Sequence, residues 1–304
     1  MWIVLIAVIE IIRFYIVLTT LQQQGLFTGW LGIVLYWIVD WLFFYVVLEV
    51  LNHYLHIFPF EKWRRNSALG NWLRRRIRLT VRTLDNSPVP EHAVYAIHSH
   101  GIIATGQLLA FMMYPEDCPE LGNPGPTVTA TVSSQLWMFP LTSLVCRMLG
   151  ARSISEFKTL VAAGRPVSIN PGGAKEISLA AGDTDHSIDI LERIGFLKLC
   201  YEFKRPVVPI FVIGNHTMYK IFQHPRLARI QRMFFQLVGY GLPIIALGSY
   251  GSIVPKAGAS TQLLRLPTVL PENFESESEM INSYYVELQR IAKEEGKVTL
   301  NLSK

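Results

Sequence analysis

Two long apolar segments at the start of the chain limit its possible folds more than any other feature. Met1–Leu21 and Trp30–Leu51 each contain only two charged residues, and the linker Gln22–Gly29 between them contains none. At about 1.5 Å per residue, either segment is long enough to cross a hydrocarbon core of about 30 Å. The pattern predicts an N-terminal membrane helical hairpin over residues 1–60. The hairpin either spans the bilayer or dips into one leaflet, and the second arrangement would lower the cost of placing Asp40 in lipid.

A basic segment follows the predicted hairpin directly. Lys62–Arg82 holds eight lysines and arginines and no acidic residue. Lysine and arginine beside a membrane segment mark the cytoplasmic side, where the membrane surface is anionic. We therefore expect a basic membrane-surface linker over residues 61–90 and a cytosolic domain over residues 91–304. No nucleic acid partner is expected, because no recognition motif accompanies the basic residues.

The remaining chain alternates between two hydrophobic patterns, one typical of buried strands and one with helical spacing. Strands are predicted within His92–Ile102, Thr127–Ser134, Arg165–Asn170 and Pro206–Gly214. Helices are predicted at Ile102–Tyr114, Leu136–Leu149, Ile190–Tyr201, Tyr219–Val238 and Glu277–Glu295, the last at the domain edge. Strands that alternate with helices indicate an α/β fold, with a sheet covered by helices on both faces.

Two of the predicted strands end in turns with unusual chemistry. The first turn is His98-Ser99-His100-Gly101, and the second is Asn170-Pro171-Gly172-Gly173. Ligands of α/β sheets bind at the carboxyl ends of the strands. We therefore expect the two turns to form one site.

The residue types in these turns suit proton transfer and the binding of an anionic oxygen. A histidine at a strand end can act as a general base near neutral pH. Gly101 allows a reactant to approach the backbone closely, and the amides of Gly172 and Gly173 can hold a phosphate or an oxyanion. Glu176 is a candidate to orient a histidine.

Several other site classes are not expected. The nucleophile elbow, the P-loop and the dinucleotide-binding glycine motif are all absent from the sequence. Two histidines alone do not make a zinc site, and the three cysteines lack metal-binding spacing. We expect no metal.

Three ordered blocks resemble the diacylglycerol acyltransferase 2 type family. Tyr95–Gly101 is similar to the family's Tyr-x-x-His-Pro-His-Gly block, and Pro171–Glu176 fits its Pro-Gly-Gly-Ala-x-Glu block in full. Arg193–Leu199 fits the Arg-x-Gly-Phe-x-Lys-Leu block, which leads into the dipeptide Val208-Pro209. The N-terminal hairpin also agrees with the family.

The sequence departs from the family pattern at several positions. Ser99 replaces a proline, and Asn215 stands where the family has glutamate. Related glycerol-phosphate acyltransferases carry an aspartate five residues after the histidine, but Ile103 and Thr105 occupy the corresponding positions. The carboxylate partner of the histidine is therefore expected to be Glu176.

The resemblance implies a glycerol-phosphate-acyltransferase-like sheet and an acyl-CoA-dependent O-acyltransferase that esterifies a lipid hydroxyl. Diacylglycerol, converted to triacylglycerol, is the first expected acceptor. Monoacylglycerol, a fatty alcohol and a sterol are alternatives within the same reaction. A non-catalytic membrane lipid-binding protein of the same fold is the alternative from another class.

The resemblance also suggests roles for single residues. His100 is the expected general base, with His98 as its alternative and Glu176 as the carboxylate partner. Oxyanion and substrate contacts are expected from Gly101, Asn170, Pro171, Gly172 and Gly173. Arg193 and Lys198 are candidates to bind the phosphates of CoA.

The expected partners are acyl-CoA, a lipid acceptor and the bilayer. No cofactor is expected, because the thioester of acyl-CoA is already activated. The family resemblance suggests the endoplasmic reticulum membrane, with the catalytic domain in the cytosol, and lipid droplets as a further location.

Overall fold

The structure is a computed structural model. It describes residues 68–98, 104–112, 121, 128–137, 140–173, 187–191, 193–214, 218–221, 229, 233, 246–247, 249, 254–295 and 299–303. The chain divides into two units, Met1–Ile57 and Phe58–Lys304, and all the described residues belong to the second. The predicted hairpin over residues 1–60 lies outside the described residues. Among the helices that are described, none has the length and apolar character needed to cross a membrane.

Eleven strands are described, seven of which form the main sheet. They are β1 (Thr80–Thr83), β2 (Val94–His98), β3 (Thr129–Val132), β4 (Arg152–Ser153), β5 (Val167–Ile169), β6 (Ser187–Leu191), β7 (Val207–Ile213), β8 (Lys220–Ile221), β9 (Ala246–Leu247), β10 (Gln262–Arg265) and β11 (Thr299–Ser303). The order in the main sheet is β1-β10-β7-β2-β5-β3-β4. The last five strands of that order run parallel, whereas β10 is antiparallel to β7 and parallel to β1.

Six helices accompany the strands in the described part of the chain. They are α1 (Ala68–Arg76), α2 (Thr105–Gln107), α3 (Pro140–Met148), α4 (Phe157–Ala162), α5 (Gly195–Glu202) and α6 (Glu277–Glu295). The π-helix Leu108–Met112 follows α2 directly, and short 3-10 helices occupy Ser134–Trp137, Ile154–Glu156 and Pro271–Asn273.

The core lies on both faces of the sheet. All five residues of β2 are buried, as expected for a central strand of a parallel sheet. Val94 and Ala96 belong to a hydrophobic cluster that includes side chains of α4, α5 and α6. Tyr95 and Ile97 point to the other face and pack in a cluster with Phe111 of the π-helix. The predicted α/β class, with helices on both faces, is confirmed, and the sheet is mixed.

Four predicted strands and three of the predicted helices are present in the structure. β2, β3, β5 and β7 lie within the predicted ranges. α2 and the π-helix lie within Ile102–Tyr114, α3 lies within Leu136–Leu149, and α6 has the predicted bounds. We expected α6 to pack on the domain edge, and this expectation is wrong. Its residues Met280, Tyr284, Leu288 and Ile291 lie at helical spacing and are buried in the main core.

The predicted helix Ile190–Tyr201 is wrong in its first part. Residues 187–191 form strand β6, and α5 begins only at Gly195. The sequence Ser-Ile-Asp-Ile-Leu alternates polar and apolar residues, and isoleucine is β-branched. This period-two pattern favours a strand, and β6 pairs in parallel with β11.

The predicted helix Tyr219–Val238 also begins differently. Lys220 and Ile221 form β8, which pairs antiparallel with β9. Arg229 and Met233 are helical, and the other residues of this range after Ile221 lie outside the described part. Part of the segment assigned to a linker, 61–90, contributes α1 and the sheet strand β1.

Candidate active site

The two turns singled out in the sequence begin on adjacent parallel strands. β2 lies between β5 and β7, with Val94 paired to Val167 and Ala96 paired to Ile169. The carboxyl ends of β2 and β5 therefore reach the same edge of the sheet, next to each other. Residues 99–103 and Glu176 lie outside the described residues, so His100 and Gly101 have no described position.

His98 is the last residue of β2 and is completely buried. Its Nε2 atom lies 2.8 Å from the hydroxyl oxygen of Tyr284, on helix α6. The two rings are tilted by 56°, with their centroids 5.9 Å apart. The Nδ1 atom of His98 is buried and has no hydrogen-bond partner in the described part of the chain. His98 is therefore fixed at one ring nitrogen and unpaired at the other.

Burial determines the protonation state of both members of this pair. Desolvation lowers the pKa of His98 to about 3, because a buried imidazolium would lack water. Burial, followed by the charges of Tyr285 and Cys200, raises the pKa of Tyr284 well above its usual value. At neutral pH the contact therefore joins a neutral imidazole to a neutral phenol.

Asn170 and His98 project from opposite faces of the sheet. Ser168 is the partner of Tyr95 in the register, so both side chains lie on the face that carries α2 and the π-helix. Asn170 follows at the same parity, and its Nδ2 atom is 2.5 Å from Oε1 of Gln107 in α2. His98 lies on the other face, against α6. The two turns thus share a sheet edge without direct contact between these two side chains.

A buried polar network lies behind the second turn. Gln107 donates from Nε2 to the carbonyl oxygens of Thr131 and Ser168, at 3.2 and 3.0 Å. The hydroxyl of Thr131 donates to the Ser168 carbonyl at 2.9 Å. These contacts join α2, β3 and β5 and hold the backbone that leads into Asn170.

The Pro-Gly-Gly turn itself is closely packed at its start. Pro171 and Gly172 are buried, and Gly173 is partly exposed. Gly173 has a φ of +53°, a left-handed conformation in which other residues are strained. Its N–H donates to the Asn170 carbonyl at 3.3 Å, which closes the turn. An oxyanion would have to compete with that carbonyl for the Gly173 amide.

Sequence comparison with known proteins identifies the family of this chain. The sequence model of the family described as diacylglycerol acyltransferase matches residues 26–285 of the chain. The chain belongs to the diacylglycerol acyltransferase family. It is therefore an O-acyltransferase enzyme, and the resemblance seen in the three sequence blocks is confirmed.

Individual relatives of this acyltransferase are distant in sequence. Mouse 2-acylglycerol O-acyltransferase 1 is 27% identical over 230 residues, which are 70% of this chain and 68% of that protein. Human diacylglycerol O-acyltransferase 2 is 23% identical over 229 residues, or 70% of this chain and 58% of that protein. Among solved structures, the 1-acyl-sn-glycerophosphate acyltransferase PlsC from Thermotoga maritima aligns with a TM-score of 0.44. That alignment has 13% identity and covers 78% of each chain.

The candidate CoA-binding residues of the acyltransferase lie on the His98 side of the sheet. Arg193 precedes α5, with an exposed side chain, and its carbonyl accepts a hydrogen bond from the Tyr285 hydroxyl at 3.1 Å. The Nζ atom of Lys198 lies 3.2 Å from Oε1 of Glu277, and both side chains are substantially exposed. Lys198 therefore already has a carboxylate partner, which a CoA phosphate would displace.

Two residues that contact the candidate site were missed in the sequence. Tyr284 occupies a position in the apolar spacing of α6, so its neighbours in the sequence do not indicate that its hydroxyl contacts a histidine. Gln107 did give a signal, since it is a single amide within the apolar run Ile102–Tyr114, and buried amides need hydrogen-bond partners. Within the described part of the acyltransferase, no group of three or more His, Cys, Asp or Glu side chains could hold a metal ion.

Proposed function

We propose that this acyltransferase moves an acyl group from acyl-CoA to a lipid hydroxyl, with diacylglycerol as the first acceptor and His100 as the general base. The observation that carries the proposal is the parallel pairing of β2 with β5. This pairing supports a site in which the histidine turn and the Pro-Gly-Gly turn act on the same substrate. Family membership supports the reaction class.

The proposed reaction needs one base and one oxyanion donor. The hydroxyl oxygen attacks the thioester carbon while the hydroxyl proton passes to His100. A positioned base typically contributes about 10²–10⁴-fold to the rate. The tetrahedral intermediate then collapses, the C–S bond breaks, and His100 returns the proton to the CoA thiolate. The Gly172 amide is our first choice to stabilise the oxyanion, with the amides of Gly173 and Gly101 as alternatives.

His98 is poorly suited to act as the base, which leaves His100 as the proposed base. A base must carry the proton during the reaction, and burial makes a charged His98 costly, as its pKa of about 3 indicates. The contact with Tyr284 instead supports a role for His98 in fixing the end of β2. Glu176 remains the proposed carboxylate partner of His100.

Acyl-CoA is the proposed acyl donor, and its phosphates are proposed to contact Arg193 and Lys198. The exposure of both side chains supports this assignment, since CoA is large and highly charged. We further propose that the hairpin over residues 1–60 anchors the enzyme to the endoplasmic reticulum membrane or to lipid droplets. Arg75, an exposed basic residue of α1, supports contact with an anionic lipid surface.

Monoacylglycerol is the second candidate acceptor. Proteins named 2-acylglycerol O-acyltransferase match this chain about as well as proteins named diacylglycerol O-acyltransferase 2, at 24–27% and 23–27% identity respectively. The similarity therefore favours neither acceptor.

The test uses the full chain in membranes from cells that lack neutral-lipid synthesis. Labelled oleoyl-CoA is supplied with diacylglycerol, monoacylglycerol, a fatty alcohol or a sterol in separate reactions, and the products are separated by thin-layer chromatography. His100→Ala and His98→Ala are compared with His92→Ala, a matched control because His92 is exposed and outside the turn.

We expect a labelled ester with the wild type and with His92→Ala, and none with His100→Ala. The acceptor that yields the ester is the substrate. A product that survives in His100→Ala and disappears in His98→Ala would move the base to His98. No product with any acceptor, from well-expressed wild-type protein, would contradict the acyl-CoA reaction and favour a lipid-binding role.

A further inference from the structure

The orientation of the Gln107 amide can be assigned from its neighbours. One of its terminal atoms lies within 3.2 Å of two backbone carbonyl oxygens, those of Thr131 and Ser168. Carbonyl oxygens only accept hydrogen bonds, so this atom must be the NH₂ nitrogen. A third contact, to the Ser168 hydroxyl at 3.1 Å, is compatible with either orientation. The Oε1 atom of Gln107 therefore faces Asn170.

This assignment also orients the Asn170 amide. Oε1 of Gln107 can only accept, and the nearest terminal atom of Asn170 is 2.5 Å away. The opposite orientation of Asn170 would place two oxygens in contact, which is repulsive. Asn170 must therefore direct its NH₂ group towards Gln107 and its carbonyl oxygen Oδ1 in the other direction.

The Oδ1 atom of Asn170 has no hydrogen-bond partner among the described residues. It is buried and unpaired in the described part of the chain, although the NH₂ group of the same amide is paired. Burying an acceptor without a partner is unfavourable, so such atoms are rare unless a ligand or water supplies the missing hydrogen bond. Asn170 directly follows β5 and precedes the Pro-Gly-Gly turn, at the sheet edge where substrates bind.

We propose that Oδ1 of Asn170 accepts a hydrogen bond from an N–H or O–H group of a substrate, and that Gln107 is the positioning residue that keeps this oxygen turned towards the substrate. The inference rests on the proposed function and adds that Asn170 accepts, and the substrate donates, the hydrogen bond. Asn170 is then an acceptor at the site, rather than a donor to the oxyanion. The donor group is an amide N–H of the pantetheine arm of CoA or, where monoacylglycerol is the acceptor, its second, non-reacting hydroxyl.

The kinetic test compares Asn170→Ala and Asn170→Asp with the wild-type full chain. Loss of one neutral hydrogen bond should raise the KM of the contacted substrate about 2- to 12-fold in Asn170→Ala, with kcat nearly unchanged. A rise in the KM for acyl-CoA identifies the pantetheine amide. A rise in the KM for monoacylglycerol, without one for diacylglycerol or a fatty alcohol, identifies the second hydroxyl.

Asn170→Asp separates an acceptor from a donor. The new carboxyl faces Oε1 of Gln107, so only its protonated form fits, and its pKa should be raised. The protonated group donates its single hydrogen to Gln107 and keeps an acceptor oxygen on the substrate side. We expect a wild-type KM near pH 6 and a loss of stability as the pH rises, because the ionised carboxylate and Oε1 of Gln107 repel each other. An Asn170→Asp enzyme that is as poor as Asn170→Ala at every pH would overturn the proposal, because that pattern requires an N–H donor.

A third variant keeps the test decisive if Asn170→Asp does not fold. Gln107→Leu removes the anchor, so the Asn170 amide can rotate, and we expect a smaller rise in the same KM that Asn170→Ala raises. Unchanged KM values in folded Asn170→Ala or Gln107→Leu would refute the inference while leaving the proposed function intact. A wild-type enzyme without activity towards any acceptor would instead refute the proposed function itself.

Discussion

The Nε2 atom of His98 lies 2.8 Å from the hydroxyl of Tyr284, although 186 positions separate the two residues in the chain. The contact joins the end of β2, where the histidine turn begins, to the long helix α6. Tyr284 also makes edge-to-face contact with Phe196 of α5, at 5.9 Å between ring centroids. His98, at the start of the histidine turn, thus contacts α6, and the same tyrosine of α6 packs against α5.

Tyr284→Phe should destabilise the enzyme more than its neighbour Tyr285→Phe does. Removal of the Tyr284 hydroxyl leaves both ring nitrogens of His98 buried and unpaired, at a cost of about 1–3 kcal/mol. Tyr285 is a matched control because it lies on the same helix and donates to the Arg193 carbonyl in a partly buried contact. Thermal unfolding of the detergent-solubilised full chain measures the difference. A melting temperature of Tyr284→Phe equal to that of the wild type would show that the His98 contact adds no stability.

Acidification should destabilise the native enzyme through His98. Burial lowers the pKa of native His98 to about 3, while an unfolded histidine titrates near 6.5. Between these values the unfolded chain binds a proton that the native chain does not. The contribution of His98 to stability is therefore fully present above pH 6.5. It is lost as the pH falls towards 3, by up to about 1.4 kcal/mol per pH unit.

His98→Gln isolates this contribution, because glutamine does not titrate and its amide can still meet the Tyr284 hydroxyl. Denaturant unfolding of both proteins from pH 8 to pH 5 should give a constant stability difference above pH 6.5. Below that value the wild type should lose stability faster than His98→Gln. Parallel curves over the whole range would mean that His98 is not buried as a neutral group.

Lys198 should contribute to acyl-CoA binding once it is released from Glu277. Lys198→Gln should raise the KM for acyl-CoA, and Glu277→Gln should lower it, each by about two- to fivefold, because the charges are exposed and partly screened. Both effects should shrink at high salt. Lys204→Gln is the control, since Lys204 is an exposed lysine that follows the same helix. If Lys198→Gln and Lys204→Gln give the same KM, Lys198 does not contact CoA.

Gly173 and Gly214, which both have positive φ and follow the carboxyl ends of β5 and β7, should differ sharply in their tolerance of alanine. At Gly214, with φ of +81°, an added Cβ would lie 2.0 Å from the Ser260 carbonyl oxygen. At Gly173, with φ of +53°, an added Cβ would meet no described residue within 4 Å. We expect Gly173→Ala to cost about 1–2 kcal/mol for its left-handed backbone and Gly214→Ala to prevent accumulation of folded protein. Similar yields and melting temperatures for both variants would contradict the close approach of Gly214 to Ser260.

The local pattern of apolar residues predicted much of the fold, because burial requires apolar residues at a characteristic spacing in each helix or strand. The apolar runs that became β2, β5 and β7 were recognisable because central parallel strands are buried on both faces. The bounds of α6 were recognisable from helical spacing. The helix predicted from Ile190 began too early, because the short alternating run of β6 lies close before the helical pattern of α5.

What the sequence determined by itself is therefore the set of main elements, the two turns with chemical function and the family to which the enzyme belongs. The tertiary structure alone decided that β10 enters the sheet between β1 and β7, that Tyr284 meets His98, and that Gln107 orients Asn170. The spacing of apolar residues indicates which side of a helix or strand is buried, but not which distant segment packs against it. Packing and hydrogen bonding across the whole domain determine those partners. A local sequence pattern carries no information about such long-range contacts.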